Sequence, residues 1–223
     1  MSARNVLHIF EKIDTEEKAY WLGFLYADGS VGSKEAKIEL GLAERDIHQI
    51  EKFKNFIGID NKISYRPSSK SYRFSFRSQS CKQDLINQGC LPKKSLILKF
   101  PTEEQVSNEL IRHFIRGYFD GDGWFTNTEK CFQAGIISTN NFIMGFLDRV
   151  HKVYPDLKTT NSIYQNHIGN EITKKYYFNS YKDVYLFLNW IYSDAKVYLD
   201  RKYELYKDFI NNGSKYHKTK QYI

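Results

Sequence analysis

The chain has 223 residues, of which 33 are basic and 26 are acidic, and its formal net charge is +7. A hydrophobic content of 41% and an aromatic content of 16% are enough to form a substantial core in one large domain or two small ones, which excludes a wholly disordered chain. No apolar run of about 18 residues is present, so we expect no membrane span, and the basic charge is compatible with a polyanionic partner such as nucleic acid.

A ten-residue pattern occurs twice in the chain. Residues 20–29 (YWLGFLYADG) recur at a constant offset as residues 114–123 (FIRGYFDGDG). Each copy contains two small residues four positions apart, which places them on one face of a helix and allows a second helix backbone to approach closely. These small residues are Gly23 and Ala27 in the first copy and Gly117 and Gly121 in the second.

Each copy is predicted to form the end of a helix. Asp14 and Glu17 have the spacing of a capping box and predict the start of the first helix, and Gly29 predicts its end. The second helix is predicted to begin after a cap by Ser107 or Asn108 and to end at the equivalent glycine of its own copy.

The segments that follow the two copies have the same predicted order of elements. Alternating polar and apolar residues indicate half-buried antiparallel strands. In the first half, the predicted strands are 36–42, 62–66 and 71–79, and the helices are 45–57 and 82–88. In the second half, the strands are 124–127, 132–138, 159–166 and 174–179, and the helices are 140–153, 182–192 and 197–211. The predicted fold is therefore α+β, with two pseudo-symmetric αββαββα half-domains at residues 1–106 and 107–223, the second with a basic tail.

Asp28 and Asp122 occupy equivalent places at the ends of the two predicted helices. A helix C-terminus disfavours a negative charge. If the small-residue faces pack together, the two carboxylates come close, and their repulsion favours a cation between them. Mg²⁺ prefers such oxygen ligands, and carboxylate-bound metal ions promote hydrolysis of phosphodiesters. The doubled pattern therefore indicates a metal-dependent phosphodiesterase site.

With these motifs the chain resembles the LAGLIDADG homing endonucleases over about residues 14–210. Two positions depart from the family pattern, because Tyr26 stands where the family has an acidic residue and Arg116 where it has a small one. The resemblance implies antiparallel sheets that form a saddle on a long, asymmetric site in double-stranded DNA. It also implies a monomer without an obligate protein partner that cuts both strands, leaves short 3′ overhangs and serves intron homing.

The resemblance assigns roles to particular residues. Asp28 and Asp122 are expected to bind catalytic Mg²⁺, which Mn²⁺ or Ca²⁺ can replace in binding, and a backbone ligand beside them is left unspecified. The family also has a lysine in each half that stabilises transition-state charge or polarises the attacking water. Lys94 fits this role in the first half. Lys196 is the choice in the second half, with Lys202 as its alternative.

The polar faces of the strands are expected to contact DNA. Arginine and glutamine suit bidentate contacts with bases in the major groove, whereas lysine and serine more often contact phosphate. The predicted DNA-binding residues are Lys37, Glu39, Lys62, Ser64, Arg66, Arg73, Ser75, Arg77 and Gln79 in the first half and Gln133, Ser162, Asn166 and Lys175 in the second.

Cysteine and histidine give no sign of a further site. Cys81, Cys90 and Cys131 match neither a disulfide framework nor a metal-binding C-x-x-C pair, and the histidines lack zinc spacing. We therefore expect reduced thiols in a cytoplasmic protein of a bacterial or phage host, with an organelle as the alternative.

Three other interpretations are open at this point. A LAGLIDADG protein can bind DNA or RNA without cutting, as an intron maturase or a transcription regulator. Paired carboxylates also serve glycosidases. Residues 120–123 are similar to the start of a calcium-binding loop, although they lack its third acidic position and its distal glutamate.

Overall fold

A computed structural model describes residues 8–128, 132–165 and 172–212 of the chain. Cys131, Asn166 and the basic tail lie outside these described residues. Within them, no helix combines the length and the apolar character that crossing a bilayer requires.

The elements occur twice in the same order. The N-terminal half contains α1 (Glu16–Asp28), β1 (Gly29–Val31), β2 (Lys37–Ala43), α2 (Ile47–Ile57), β3 (Ser64–Arg66), β4 (Ser71–Arg77) and α3 (Gln79–Asn87). The C-terminal half contains α4 (Ile111–Asp122), β5 (Gly123–Asn127), β6 (Phe132–Thr139), α5 (Asn140–Val153), β7 (Thr160–Gln165), β8 (Ile172–Phe178) and α6 (Tyr181–Tyr192), and α7 (Asp200–Asn212) follows. The predicted αββαββα repeat is confirmed, with β1 as a strand that the sequence patterns did not predict.

Each half has one antiparallel sheet, with strand order β1-β2-β4-β3 in the first and β5-β6-β8-β7 in the second. Helices α2 and α5 cover one face of their respective sheets. Ile38, Leu40 and Phe74 are fully buried on the covered face of the first sheet. The polar residues that alternate with them lie on the opposite face, which we call the open face. The period-two pattern therefore predicted the orientation of β2 and β4 correctly.

Two predictions about helix starts were wrong. The hydroxyl of Thr15 caps α1 by accepting a hydrogen bond from the backbone N–H of Lys18 at 3.3 Å. Asp14 instead forms an ion pair with Lys18 at 2.8 Å, one turn apart on the same side. Helix α4 begins after Leu110 and has no side-chain cap, so neither cap predicted for this helix is used.

Helices α1 and α4 pack against each other through their small residues, as predicted. A Cβ added at Gly23 would lie 2.0 Å from the carbonyl oxygen of Phe114, and one added at Gly117 would lie 1.9 Å from that of Tyr20. At Gly121 the added atom would lie 2.3 Å from the side chain of Ala27. The two backbones are in direct contact, which only glycine permits.

Both central helices end by changing directly into a strand. Gly29 has φ −76° and ψ 152°, and Gly123 has φ −83° and ψ 165°, which are extended conformations and not the left-handed one typical of a glycine stop. The last helical residues, Asp28 and Asp122, are therefore held between the helix pair and the two sheets.

Candidate active site and nucleic-acid interface

Asp28 and Asp122 lie together at the end of the α1–α4 pair. A Cβ added at Gly121 would lie 3.1 Å from a carboxylate oxygen of Asp28, so this acid reaches across to the last turn of α4. Both side chains reach solvent, although protein surrounds them on their other sides. This burial, together with repulsion by Asp122, raises the pKa of Asp28 to about 6, against the opposing effect of Lys202 and Lys94. Burial likewise raises the pKa of Asp122.

This pair of acids fits a divalent metal ion. Two hard oxygen donors lie close together, and repulsion by Asp122 disfavours the ionised state of Asp28 unless a cation is present. Among the described residues, no group of three or more His, Cys, Asp or Glu side chains could hold a metal ion. A metal held by Asp28 and Asp122 would therefore take its other ligands from water, from the backbone or from a bound phosphate.

Two lysines bind equivalent carbonyl oxygens next to these acids. Lys94 donates from Nζ to the carbonyl of Gly29, which directly follows the first acid. Lys202 donates from Nζ to the carbonyl of Gly123, which directly follows the second acid, and to that of Phe119. Lys202 is buried, and this burial lowers its pKa to about 8.

Lys196 does not lie near the acids, so the prediction that it is the lysine of the second half was wrong. The backbone N–H of Lys196 donates to Glu16 at 2.8 Å, at the first residue of α1. Since the 13 residues of α1 span about 18 Å, Lys196 lies at the end of this helix that is remote from Asp28. The place beside the second acid belongs to Lys202.

The calcium-loop interpretation is wrong. Asp120 and Asp122 lie in a helix, and they point in different directions. Asp120 is fully buried, and it accepts hydrogen bonds from the hydroxyl of Tyr20 at 2.8 Å and from the backbone N–H of Leu199 at 2.7 Å. The carboxylate of Asp120 is thus fully hydrogen-bonded within the protein, whereas that of Asp122 faces solvent.

The two departures from the motif pattern have structural roles. The hydroxyl of Tyr26 donates to the carbonyl of Gln88, away from the acid pair. Arg116 is fully buried, and it donates to Glu16 at 2.7 Å and to the carbonyl of Val197 at 2.9 Å. Both side chains are thus held by hydrogen bonds within the protein.

Most of the predicted DNA-binding residues of the first half share its open face. The register of the strands places Lys37, Glu39, Ser64, Arg66, Arg73, Ser75 and Arg77 on this face. Glu39 lies among basic neighbours, with one carboxylate oxygen 2.7 Å from Lys37 and the other 2.7 Å from Arg73. Although partial burial raises the pKa of Glu39, the hydrogen bonds from Lys37 and Arg73 lower it overall. Glu39 therefore links two of the basic side chains on this face.

Two residues of the first half do not lie on a strand as predicted. Strand β4 ends at Arg77, and Ser78 caps α3 by accepting from the N–H of Cys81 at 3.2 Å, so Gln79 is the first residue of that helix. Lys62 precedes β3 and is exposed in a loop. The alternating pattern extended beyond the start of β3 and the end of β4, because polar residues also suit a loop and a helix start.

In the second half, Gln133 and Lys175 lie on the open face. Ser162 lies in β7, and its backbone pairs with Lys175. The sequence patterns missed Trp124 and Tyr177, which share this face. The Lys175 ammonium lies 4.6 Å from the centre of the Trp124 ring and 5.1 Å from that of Tyr177. The sequence did contain one signal for Trp124. It follows the second motif at the position where the polar residue Ser30 follows the first.

The structure thus has two αββαββα halves, joined by a glycine-lined helix pair that ends in two solvent-facing acids. Residues 109–212 match the family model of the LAGLIDADG-like domain, so the C-terminal half is a domain of this kind. The resemblance expected from the motifs is confirmed. No curated protein matches the sequence of the chain.

Solved structures show the same fold over most of the chain. Meganuclease I-SmaMI bound to uncleavable DNA has a TM-score of 0.56 and 13% identity, over 87% of this chain and 89% of that one. The I-LtrWI LAGLIDADG homing endonuclease bound to target DNA has a TM-score of 0.50 and 12% identity, over 88% and 89%. Full-length DUF199/WhiA from Thermatoga maritima has a TM-score of 0.56 and 16% identity, over 93% of this chain and 63% of that one. At these identities the similarity establishes the fold.

Proposed function

We propose that this protein is a site-specific, metal-dependent endonuclease that cuts double-stranded DNA as a monomer. The observation that carries this proposal is the paired site, in which Asp28 and Asp122 lie together and each is followed by a carbonyl bound to a lysine. One chain thus contains two equivalent sets of groups, as cleavage of two antiparallel strands requires.

The residues of the chain divide the chemistry between them. Asp28 and Asp122 would hold Mg²⁺, which when bound activates water and neutralises charge on the phosphate. Lys94 and Lys202 fix the ends of the two motif helices and therefore the positions of the acids. An ammonium group has three donors, and Lys94 uses one of them on Gly29, which leaves donors for water or for a phosphate oxygen.

The open faces of the two sheets supply the surface for DNA. The first carries arginine and lysine side chains positioned by carboxylates, and the second carries a lysine positioned by aromatic rings. Because the two faces differ in chemistry, the bound site is asymmetric. The DNA complexes of I-SmaMI and I-LtrWI, which share this fold, support DNA as the ligand.

A second candidate is a LAGLIDADG protein that binds nucleic acid without cutting it. The fold does not distinguish this candidate from the first, since the WhiA structure has the same TM-score as that of meganuclease I-SmaMI. The two functions share the saddle and differ in whether the acid pair performs hydrolysis.

The two candidates separate in one experiment. A plasmid library of candidate sites is incubated with Mg²⁺ and the wild-type protein, Asp28→Asn, Asp122→Asn or the exposed control Asp156→Asn. We expect linear product from the wild type and the control, none from the two site variants, and retained, salt-sensitive DNA binding by all four. Full cleavage by either site variant would overturn the assignment. Binding without cleavage by the wild type would establish the second candidate.

A further inference from the structure

The strand registers define equivalent positions in the two sheets. In the first half Ser30 of β1 pairs with Glu39 of β2, which pairs with Ser75 of β4. In the second half Trp124 of β5 pairs with Gly135 of β6, which pairs with Tyr177 of β8. The equivalent residues on the open faces are Ser30 and Trp124, Glu39 and Gly135, Arg73 and Lys175, and Ser75 and Tyr177. A cation therefore occupies the same place in both halves, with different neighbours.

In the first half a carboxylate positions this cation. Arg73 donates from Nη1 to Glu39 at 2.7 Å, and its aliphatic part lies over Gly41, where an added Cβ would come within 3.3 Å of it. Glu39 balances the charge of Arg73 while it fixes the direction of the guanidinium.

In the second half two aromatic rings position the cation. Distances of 4.6 Å and 5.1 Å from the Lys175 ammonium to the rings of Trp124 and Tyr177 lie within the range of cation–π attraction, which extends to about 6 Å. Gly135 makes room for the Trp124 ring, because an added Cβ would lie 2.7 Å from it, and also 2.6 Å from the Cβ of Tyr177. Gly135 stands at the position equivalent to Glu39, so the second sheet has no carboxylate at this position that corresponds to the partner of Arg73. Lys175 thus has a defined place beside two rings, without a carboxylate at the position equivalent to Glu39.

We infer that Lys175 contacts a guanine in the half-site bound by the second sheet, and that Trp124 and Tyr177 are its positioning residues. This inference rests on the proposed function. An ammonium only donates, and guanine presents two adjacent acceptors, O6 and N7, in the major groove, whereas adenine presents an acceptor beside a donor. Because the rings already restrict the lysine, less conformational entropy is lost when it binds.

The position of the guanine follows from the chain. Trp124 comes two residues after Asp122, a separation of about 7 Å along an extended strand. The guanine therefore lies in the inner part of the half-site, close to the phosphate that the acids would cut.

The test begins with selection of bound duplexes from a randomised DNA library by the full-length protein in Ca²⁺. The selected duplex is then prepared with 7-deazaguanine, which lacks only the N7 acceptor, at each guanine in turn. Affinities are measured for the wild type, Lys175→Met, Trp124→Ser, Tyr177→Ser and Tyr177→Phe. The two serine variants introduce the residues of the equivalent positions in the first half. Arg73→Met and Lys182→Met, the second an exposed lysine on α6, are the controls.

We expect one inner guanine at which 7-deazaguanine weakens wild-type binding roughly tenfold. Lys175→Met and both serine variants should lose this discrimination and keep the other base preferences, and Tyr177→Phe should retain it because the ring remains. Arg73→Met should alter a preference in the opposite half-site, and Lys182→Met should alter none.

Three results would overturn the inference. Uniform weakening by Lys175→Met on all sequences, with a salt slope smaller by about one, would make this lysine a phosphate contact. Retained discrimination in both serine variants would remove the positioning role of the rings. If the wild type enriches no sequence, the proposed function itself fails. If it enriches a sequence in which no guanine shows the 7-deazaguanine effect, only the inference about Lys175 fails.

Discussion

Arg116, in the middle of α4, donates from Nη2 to Glu16, the first residue of α1, at 2.7 Å. The same guanidinium donates to the carbonyl of Ile191 at 2.8 Å and to that of Val197 at 2.9 Å. One fully buried side chain thus joins the start of the first motif helix to the second half of the chain. The two halves are therefore connected by this cluster as well as by the close contact of the two helices at Gly23 and Gly117.

The substitution Arg116→Met should destabilise the fold by about 3–5 kcal/mol, because it leaves Glu16 and two carbonyls without their buried donor. Urea unfolding measures this effect. Arg112→Met is the matched control, since Arg112 lies one turn earlier and pairs with the exposed Asp194, and it should cost about 1 kcal/mol or less. Equal losses in the two variants would show that the buried cluster contributes no more than a surface ion pair.

The contact between the motif helices predicts that alanine is not tolerated at their glycines. In Gly23→Ala the new methyl group would start 2.0 Å from the carbonyl oxygen of Phe114, so the helices must separate, at a cost of about 1–3 kcal/mol or more. Gly58→Ala is the control, because Gly58 has open space around it and only its φ of +71° opposes a side chain. We expect a larger loss of unfolding free energy for Gly23→Ala than for the control, and the reverse order would contradict close packing.

The raised pKa of Asp28 predicts a pH-dependent stability in metal-free protein. The pKa of this carboxyl is about 6 in the folded state and 3.8 ordinarily, so the folded state binds the proton more tightly than the unfolded state does. The stabilisation that protonated Asp28 gives the fold is therefore complete below about pH 4 and is lost as pH rises through about 6. Asp28→Asn cannot ionise, so its unfolding free energy should rise relative to wild type over this range. Denaturant titrations in EDTA measure the difference, and Mg²⁺ should reduce it at neutral pH. A difference that does not vary with pH would exclude this origin.

The two candidate lysines of the second half make opposite predictions for cleavage. Lys202→Met removes the ammonium next to Asp122, and we expect cleavage of one strand to fall about a hundredfold, with nicked DNA as the main product. Lys196→Met should cut like the wild type, because this side chain lies at the far end of α1. Circular dichroism and the charge-retaining Lys202→Arg control for misfolding. If the Lys196 variant gave nicked DNA and the Lys202 variant cut both strands, Lys196 would be the catalytic lysine of the second half.

Much of the fold was predictable from local features. The Gly23 and Gly117 motifs indicated a close helix pair with an acid at each end, and the alternation in β2 and β4 indicated which residues face outwards. These features depend on neighbours within a few residues, so the period of the pattern predicts them. The ends of elements were less predictable, as Gln79 shows, because polar residues suit a strand face, a helix start and a loop equally well.

The sequence by itself determined that two equivalent halves exist and that Asp28 and Asp122 are the paired acids, since the repeat contains both. Only the tertiary structure decided which lysine accompanies Asp122 and what surrounds Lys175. Lys202 reaches the carbonyl of Gly123 because of the path of the chain between α6 and α7, and Trp124 meets Lys175 through the pairing of β5, β6 and β8. Such contacts depend on how distant segments pack in three dimensions, and no local pattern in the sequence encodes them.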